Sequence, residues 1–277
     1  TVGSVTDLKR RRLRDWPPTD PVFLEEFRSR GESYAKAFPS AKVVKFLDFF
    51  AGAGGMTSGF LATRQSGLVF ESMGAFDIDA VALETLRLNS GAPVFGRDIR
   101  QFALEPAELL ELVPDLATWK GPLVFIGCPP CQGFSAHRKK DERDDPRNNL
   151  VADFARIAAH FKPDVVLMEN VPEMLKGRFE DYFVEASGIL ESAGYIVESQ
   201  VLDLSLYGVP QRRRRAVVMA ALKPGLGLPR APLRDHEVRT VREAIGHLRP
   251  IGAGEAAADD PWHAAPNHTA RIIEKIR

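Results

Sequence analysis

The chain has 277 residues, and its 37 Lys and Arg residues balance 37 Asp and Glu residues to a formal net charge of zero. This balance gives little support for a nucleic-acid partner overall, so any such binding must come from local basic clusters. No apolar run approaches the roughly 18 residues that cross a bilayer, so no membrane partner is expected. Two cysteines are too few for a disulfide framework, which favours a cytoplasmic protein.

The predicted elements indicate one α/β core between two flanks of different composition. Residues 1–44 are predicted to form an N-terminal arm with a basic cluster and one helix near 22–38. Strand-like runs occupy 45–51, 73–78, 94–99, 123–128, 165–171, 195–202 and 216–221. Helix-like stretches occupy 56–65, 79–89, 106–112, 150–161 and 181–193. Residues 223–277 are rich in Pro, Gly and Ala and are predicted to be a linker with one short helix at 241–248.

The alternation of strands and helices over 45–222 predicts a Rossmann-like, doubly wound α/β fold. Its sheet is expected to have seven mostly parallel strands, because continuous apolar strands are typical of sheets covered by helices on both faces. The last two strands are joined without a helix, so an antiparallel edge strand is expected there.

A glycine-rich turn follows the first strand, where residues 48–55 read DFFAGAGG and a predicted helix begins. Such a turn lets a ligand approach the backbone and offers it helix N-terminal amides, although a simple packing turn is the alternative. The spacing is not the dinucleotide fingerprint, because Thr57 stands where the third glycine would be. A nicotinamide cofactor is therefore disfavoured.

Two acids close the next two predicted strands. Asp77 is placed where an acid commonly accepts hydrogen bonds from a ribose diol, and Asp98 could accept from an adenine amine. Each could also be an ordinary loop-capping acid. Their occurrence at consecutive strand ends beside the glycine-rich turn favours a ligand that contains adenosine.

Both cysteines lie in the segment GCPPCQGFS at residues 127–135, directly after a predicted buried strand. Zinc would need further ligands that the sequence does not supply beside His137, and the context does not favour a redox pair. Cys128 ends the apolar strand and is interpreted as a packing residue. Cys131 follows two prolines and precedes polar sequence, so it is the candidate nucleophile.

Charged residues near two later strands complete the candidate site. Glu169 follows four apolar strand residues, so we expect it to be partly desolvated and suited to proton transfer, with a solvated strand-end Glu as the alternative. Four arginines at 212–215 precede the last strand and could be a solvated basic patch. Because side chains alternate along a strand, Arg213 and Arg215 are expected to share one face and could bind a phosphate or a base carbonyl.

In this order, these segments resemble the cytosine-5 DNA methyltransferase family over about residues 45–222, with a weaker tail through 266–268. The motifs that carry the resemblance are Phe50-Ala51-Gly52-x-Gly54-Gly55, Pro129-Pro130-Cys131-Gln132, Asp145-Pro146-Arg147-Asn148-x-Leu150, Glu169-Asn170-Val171 and Gln211-Arg212-x-Arg214-Arg215.

The resemblance implies methyl transfer from S-adenosyl-L-methionine to C5 of cytosine in double-stranded DNA. It assigns Cys131 as the nucleophile that adds to C6, and Glu169 as the group that holds the N3/N4 edge. It places Arg215 on the cytosine O2 and Arg213 near the thiol and phosphates. The residues implied to line the cofactor pocket are Phe50, Gly52, Gly54, Gly55, Asp77, Ile78, Asp98, Ile99, Pro130 and Leu150.

The reacting atoms of cytosine are stacked inside a duplex, so the base must be flipped out. The charged stretch at 132–148 resembles the mobile loop that closes over the flipped base, with an ordinary exposed loop as the alternative. The residues expected to face substrate or DNA are Gln132, Ser135, Arg138 and Asn170.

The family's target-recognition domain and its returning C-terminal segment are not found in these 277 residues. The resemblance therefore implies a chain completed by a C-terminal segment or by a second subunit, with weak cofactor affinity and little sequence-specific methylation when isolated. A restriction-modification system in a bacterial, nucleoid-associated setting is the expected context. The alternatives are an RNA (tRNA) cytosine-5 methyltransferase with the same core and a catalytically silent scaffold or regulatory subunit.

Overall fold

The computed structural model describes residues 43–65, 68–130, 146–258 and 263–276, and it forms a single mixed sheet flanked by helices. The predictions for the N-terminal arm and its helix lie outside these residues. The strands are β1 (Val43–Phe49), β2 (Arg64–Gln65), β3 (Leu68–Asp77), β4 (Val94–Gly96), β5 (Leu123–Gly127), β6 (Val165–Asn170), β7 (Ile196–Asp203) and β8 (Arg214–Ala221).

The sheet has the predicted α/β topology. Its order is β2-β3-β1-β5-β6-β8-β7, and β4 pairs with β3 beside this path. Pairing is parallel for β1 with β3 and β5, for β3 with β4, and for β5 with β6. Strand β8 is antiparallel to both β6 and β7, which confirms the expected antiparallel edge.

Helices connect the strands. Those of the core are α1 (Gly55–Ala62), α2 (Ala80–Ser90), α3 (Arg100–Leu104), α4 (Ala107–Leu112), α5 (Asp115–Thr118), α6 (Leu150–Phe161) and α7 (Glu180–Ser192), and two later ones are α8 (Val241–Ile245) and α9 (Ala270–Ile276). None of the helices in these described ranges is long and apolar enough to cross a membrane.

Several predicted boundaries are wrong in informative ways. The helix predicted at 56–65 ends at Ala62, because Arg64 and Gln65 pair with β3 as a short antiparallel strand, an eighth strand that was not predicted. The strand predicted at 94–99 ends at Gly96, since Asp98 and Ile99 already accept hydrogen bonds from backbone N–H groups in the first turn of α3. Helices α3 and α5 were not predicted, and each has only four or five residues, too few to show a helical period.

The sheet is packed on both faces, as predicted. On one face Phe49 contacts Phe76, Phe125 and Phe154, with ring centroids 5.2–5.3 Å apart, and this cluster continues into α6 and α7. On the other face Phe46 packs against Phe60 of α1. Since alternate residues of a strand face opposite sides, β1 anchors both layers of the core.

The chain after β8 folds back onto the edge strand β7. The backbone N–H of Leu228 donates to Glu198 Oε2 at 3.0 Å, and the Tyr207 hydroxyl donates to the Pro229 carbonyl at 2.7 Å. Leu226 packs against the core. Residues 226–229 therefore pack beside β7, on the face of the sheet that also holds Phe46.

The turn between β1 and α1 is unusually tight. Phe50, Gly52 and Gly54 have φ values of 61°, 51° and 88°, a left-handed conformation that is strained for a residue with a side chain. A Cβ on Gly54 would lie 2.6 Å from Cγ of Leu86, a residue of α2 that is only 1% exposed. The turn thus requires glycine at position 54 for both its backbone angle and its packing.

Gly54→Ala is expected to lower the free energy of unfolding by about 3 kcal/mol, because it adds a left-handed alanine and overpacks Leu86. Gly59→Ala is the matched control, since Gly59 lies inside α1 with no atom within 4 Å of the added Cβ. That variant should be unchanged or stabilised by up to about 1 kcal/mol. Urea unfolding measures both, and equal stabilities would contradict this account of the turn.

Candidate active site

One edge of the sheet collects the described residues that the sequence singles out. In register, Phe49 of β1 pairs with Gly127 of β5, and Gly127 pairs with Met168 of β6, so these strands end side by side. Strand β8 runs the opposite way, so its first residues lie beside the last residues of β6, with Asn170 opposite Ala216. The glycine-rich turn, the start of the cysteine segment, Glu169 and Arg215 therefore meet at the carboxyl edge, where α/β proteins bind ligands.

Glu169 and Arg215 form an ion pair across β6 and β8. Arg215 Nε lies 2.8 Å from Glu169 Oε1, and the two side chains are 21% and 28% exposed, respectively. The expected partial desolvation of Glu169 is thus present, while Arg214, on the opposite face, is exposed. The pair presents a carboxylate and a guanidinium next to each other at the mouth of the site.

Cys128 is a half-buried free thiol, and its backbone N–H donates to the Phe49 carbonyl at 3.2 Å. Burial raises its pKa far above the usual range, and the nearby Glu169 and Asp48 raise it further, while Arg213 and Arg215 lower it. A thiol in this setting stays neutral and is a poor nucleophile, which fits its interpretation as a packing residue.

The candidate nucleophile and most of its loop lie outside the described residues, and their roles remain predictions: Cys131, Gln132, Ser135 and Arg138. The structure does describe the approach to this loop. Asn170 is buried, and its Nδ2 donates to the Pro129 carbonyl at 3.2 Å, while its Oδ1 accepts from the backbone N–H of Val171 at 2.8 Å. Asn170 thus ties β6 to the first turn of the cysteine segment, and a contact with substrate remains a prediction.

The geometry of the glycine-rich turn and its neighbour fits a ligand that contains adenosine. The backbone N–H of Gly52 donates to Asp77 Oδ2 at 2.8 Å, and the backbone N–H of Asp79 donates to Asp77 Oδ1 at 2.9 Å, which fixes this carboxylate at the end of β3. Ile78, the next residue, is 78% exposed, an apolar side chain able to cover a planar base. No atom of the described residues lies within 4 Å of a Cβ built on Gly52 or Gly55, so this part of the structure leaves space above the turn.

The other residues predicted to line the cofactor pocket differ in how deeply they are buried. Phe50 and Pro130 are partly buried beside the turn and the cysteine segment, whereas Ile99 and Leu150 are buried in the core beneath the edge. Asp98 already has a partner: Arg100 Nε donates to its Oδ2 at 2.9 Å, and this bond holds the pKa of the carboxyl below its usual value. An adenine amine would share Asp98 with that guanidinium.

Asp48 is a site residue that the sequence reasoning missed. It is 1% exposed, and its Oδ2 accepts from the hydroxyl of the fully buried Thr57 at 2.5 Å, while its Oδ1 has no hydrogen-bond partner among the described residues. Burial raises its pKa to about 7, opposed by the Thr57 side chain and backbone and assisted by Asp77. An acid between the apolar residues Leu47 and Phe49 at the end of β1 was the available signal.

Among the described residues, no group of three or more His, Cys, Asp or Glu side chains could hold a metal ion.

Known proteins resemble this chain in sequence and in structure. The model of the C-5 cytosine-specific DNA methylase family matches residues 44–254. The Type II methyltransferase M1.HphI of Haemophilus parahaemolyticus is 33% identical over 235 residues, which cover 83% of this chain and 59% of that protein. M.AquIA of Picosynechococcus sp., another Type II methyltransferase, is 37% identical over 188 residues, which cover 63% of this chain and 71% of that protein.

A solved structure from an E. coli prophage, assigned as a DNA modification methyltransferase, superposes with a TM-score of 0.58 at 26% identity and covers 78% of this chain and 58% of that one. This chain therefore spans little more than half the length of M1.HphI and of the prophage protein.

The burial of Asp48 makes stability depend on pH. Its pKa rises from 3.8 to about 7 on folding, so the folded state binds the proton more tightly. The contribution of Asp48 to the free energy of unfolding is therefore greatest below about pH 4. It falls as the pH rises to about 7, by up to about 1.4 kcal/mol per pH unit. Asp48→Asn should flatten this slope in urea titrations between pH 4 and 8, because its amide mimics the protonated acid.

Asp181→Asn is the matched control, since Asp181 is an exposed acid in the first turn of α7, and it should keep the wild-type slope. A wild-type slope in Asp48→Asn would show that Asp48 is ionised in the folded protein across this range.

Proposed function

This chain belongs to the C-5 cytosine-specific DNA methylase family, and from this membership we propose that it carries the catalytic core of a DNA (cytosine-5-)-methyltransferase. The observation that carries the proposal is that three features lie at one edge of the sheet. The open glycine-rich turn follows β1, the cysteine segment follows the neighbouring strand β5, and the Glu169–Arg215 pair lies at the next strand, β6. A methyl donor and a cytosine bound at the two parts of this edge would meet at the cysteine segment.

S-adenosyl-L-methionine, the methyl donor of this family, would supply an electrophilic methyl group on its sulfonium. Asp77 is fixed to accept from the ribose hydroxyls, and the exposed Ile78 would cover one face of the adenine. Gly52 and Gly55 leave room for the methionine part above the turn, next to the N-terminus of α1. Asp98 would accept from the adenine amine while keeping its bond to Arg100.

Cytosine C5 is a poor nucleophile, and the proposed role of Cys131 is to activate it. Its thiolate forms a bond to C6, and the displaced electron pair makes C5 nucleophilic. C5 would then accept the methyl group that the bound donor supplies, and the donor would leave as a neutral thioether. The C5 proton leaves to solvent, the bond between C6 and the cysteine sulfur breaks, and the thiolate is restored.

The Glu169–Arg215 pair suits the edge of the cytosine ring that carries N3, N4 and O2, opposite C5 and C6. A ring with its N3 and N4 atoms against the Glu169 carboxyl places its O2 carbonyl on the side of Arg215, which can donate to it. Arg215 also holds the carboxyl in place before a base arrives. Arg213 adds positive charge close to the cysteine segment, as its effect on the Cys128 thiol indicates.

The proposed substrate is double-stranded DNA with its target base flipped out, because C5 and C6 are otherwise stacked within the duplex. We place the protein in a bacterial restriction-modification system, on DNA in the cytoplasm, since M1.HphI and M.AquIA are Type II methyltransferases. Target recognition is proposed to come from a further C-terminal segment or a second subunit. The match to M1.HphI over 59% of its length supports this proposal, and the match to most of M.AquIA indicates that a chain of comparable length occurs in the family.

Tritiated methyl transfer tests the substrate class. The chain, supplemented with the polypeptide that supplies target recognition, should transfer methyl groups from S-adenosyl-L-methionine to duplex DNA and not to tRNA. Cys131→Ser should reduce transfer by at least about 1,000-fold, because a neutral hydroxyl is far less nucleophilic than a thiolate. Incorporation into tRNA alone would favour the RNA enzyme, and no incorporation into either would favour a silent scaffold.

A duplex with 5-fluorocytosine at the target tests the nucleophile, because fluorine cannot leave C5 as a proton does and the covalent adduct is trapped. With S-adenosyl-L-methionine and the polypeptide that supplies target recognition present, a denaturant-stable adduct should form with wild type and with Cys128→Ser, and should be absent with Cys131→Ser. The neutral, half-buried Cys128 is the matched control. Loss of the adduct in Cys128→Ser with its retention in Cys131→Ser would reverse the assignment.

A further inference from the structure

Asp48 is a buried acid whose hydrogen bonding is incomplete. The carboxyl lies on the sheet face that α1 covers, where Thr57 donates to Oδ2 and no described residue donates to Oδ1. A buried polar atom without a partner lowers stability by about 1–3 kcal/mol, so a carboxyl kept in this position calls for a physical explanation. A Val or Ile at this strand position would pack without that penalty.

The position of Asp48 beside the glycine-rich turn explains why a carboxyl is kept there. Asp48 and Thr57 lie on either side of the glycine-rich turn, and their hydrogen bond joins the end of β1 to the first turn of α1. Asp77 holds the middle of the same turn through the backbone N–H of Gly52. Left-handed conformations such as that of Phe50 persist only where the surroundings fix them, and the two acids supply two of the fixing contacts.

Few charged groups face Asp48 from the elements packed against it. Strand β3 contributes Asp77, and the end of β5 contributes the neutral Cys128 thiol. Helix α1 and strand β5 contain no charged residue. With a pKa near 7, Asp48 changes its charge in the physiological range, and the charge of a ligand at this edge would bias that change.

We propose that Asp48 is a positioning residue for the methyl-donor site, which fixes the glycine-rich turn through Thr57 and loses its proton when the cationic donor binds. This inference rests on the proposed function, since it takes S-adenosyl-L-methionine as the ligand. The donor carries a sulfonium and an ammonium against one carboxylate, so its net positive charge favours an ionised Asp48. The ionised carboxyl in turn accepts more strongly from Thr57, which tightens the turn around the ligand.

Calorimetric titration of the chain, supplemented with the polypeptide that supplies target recognition, with S-adenosyl-L-methionine at pH 6, 7 and 8 tests the coupling without relying on catalysis. Wild-type affinity should rise about threefold to tenfold from pH 6 to pH 8, with proton release detected as a dependence on the ionisation enthalpy of the buffer. Asp48→Asn should abolish the rise, and Asp181→Asn should keep it. S-adenosylhomocysteine lacks the sulfonium charge and should show a smaller pH dependence.

Thr57 separates positioning from simple stability. Thr57→Val keeps the shape but removes the hydroxyl, so affinity should fall about tenfold at pH 7, and Thr57→Ser should restore it. Thermal unfolding without ligand shows which variants are folded. If Asp48→Asn does not fold, the comparison of Thr57→Val with Thr57→Ser tests the positioning role by itself.

A pH-independent wild-type affinity, or a Thr57→Val variant that binds like wild type, would overturn the inference. Failure of the supplemented wild-type chain to bind S-adenosyl-L-methionine at every pH would instead count against the proposed function.

Discussion

The pairing of β8 with β6 is the constraint on which the candidate site depends. Parallel strands β1, β5 and β6 bring only their carboxyl ends to the edge that holds the candidate site. Because β8 runs antiparallel, its amino end arrives at the same edge, and Arg215 can reach Glu169. A parallel strand in that position would carry its arginines to the opposite edge, and a carboxylate with no cation beside it would remain.

The glycine-rich turn shows how strain and binding are combined at this edge. Its left-handed residues leave space above the backbone, and Leu86, Asp77 and Thr57 hold it from three sides. Each of these contacts comes from a different element, namely α2, β3 and α1. The conformation of the turn is thus set by the assembled fold more than by the local sequence, and a ligand meets a surface that is already formed.

Much of the fold and part of the site could be predicted from the sequence. Continuous apolar runs located most of the strands, and the family resemblance assigned Glu169 and Arg215 to the same cytosine ring; in the structure the two form an ion pair. What could not be predicted depends on neighbours distant in sequence or on very short elements: the two-residue strand at Arg64–Gln65, the pairing of Asp98 with Arg100, and the burial of Asn170 and Asp48. A side chain's partner and exposure are tertiary properties, and neither hydropathy period nor motif spacing encodes them.

Strand β7 closes one end of the sheet, and the chain that follows β8 packs over one of its faces. Leu226 lies against the same cluster as Phe46, and Glu198 of β7 accepts from the backbone N–H of Leu228. Apolar surface that loses its cover promotes association with other molecules. A version of this protein shortened to end at β8 would therefore keep the edge that carries Glu169 and Arg215 but uncover part of its core and become prone to aggregate.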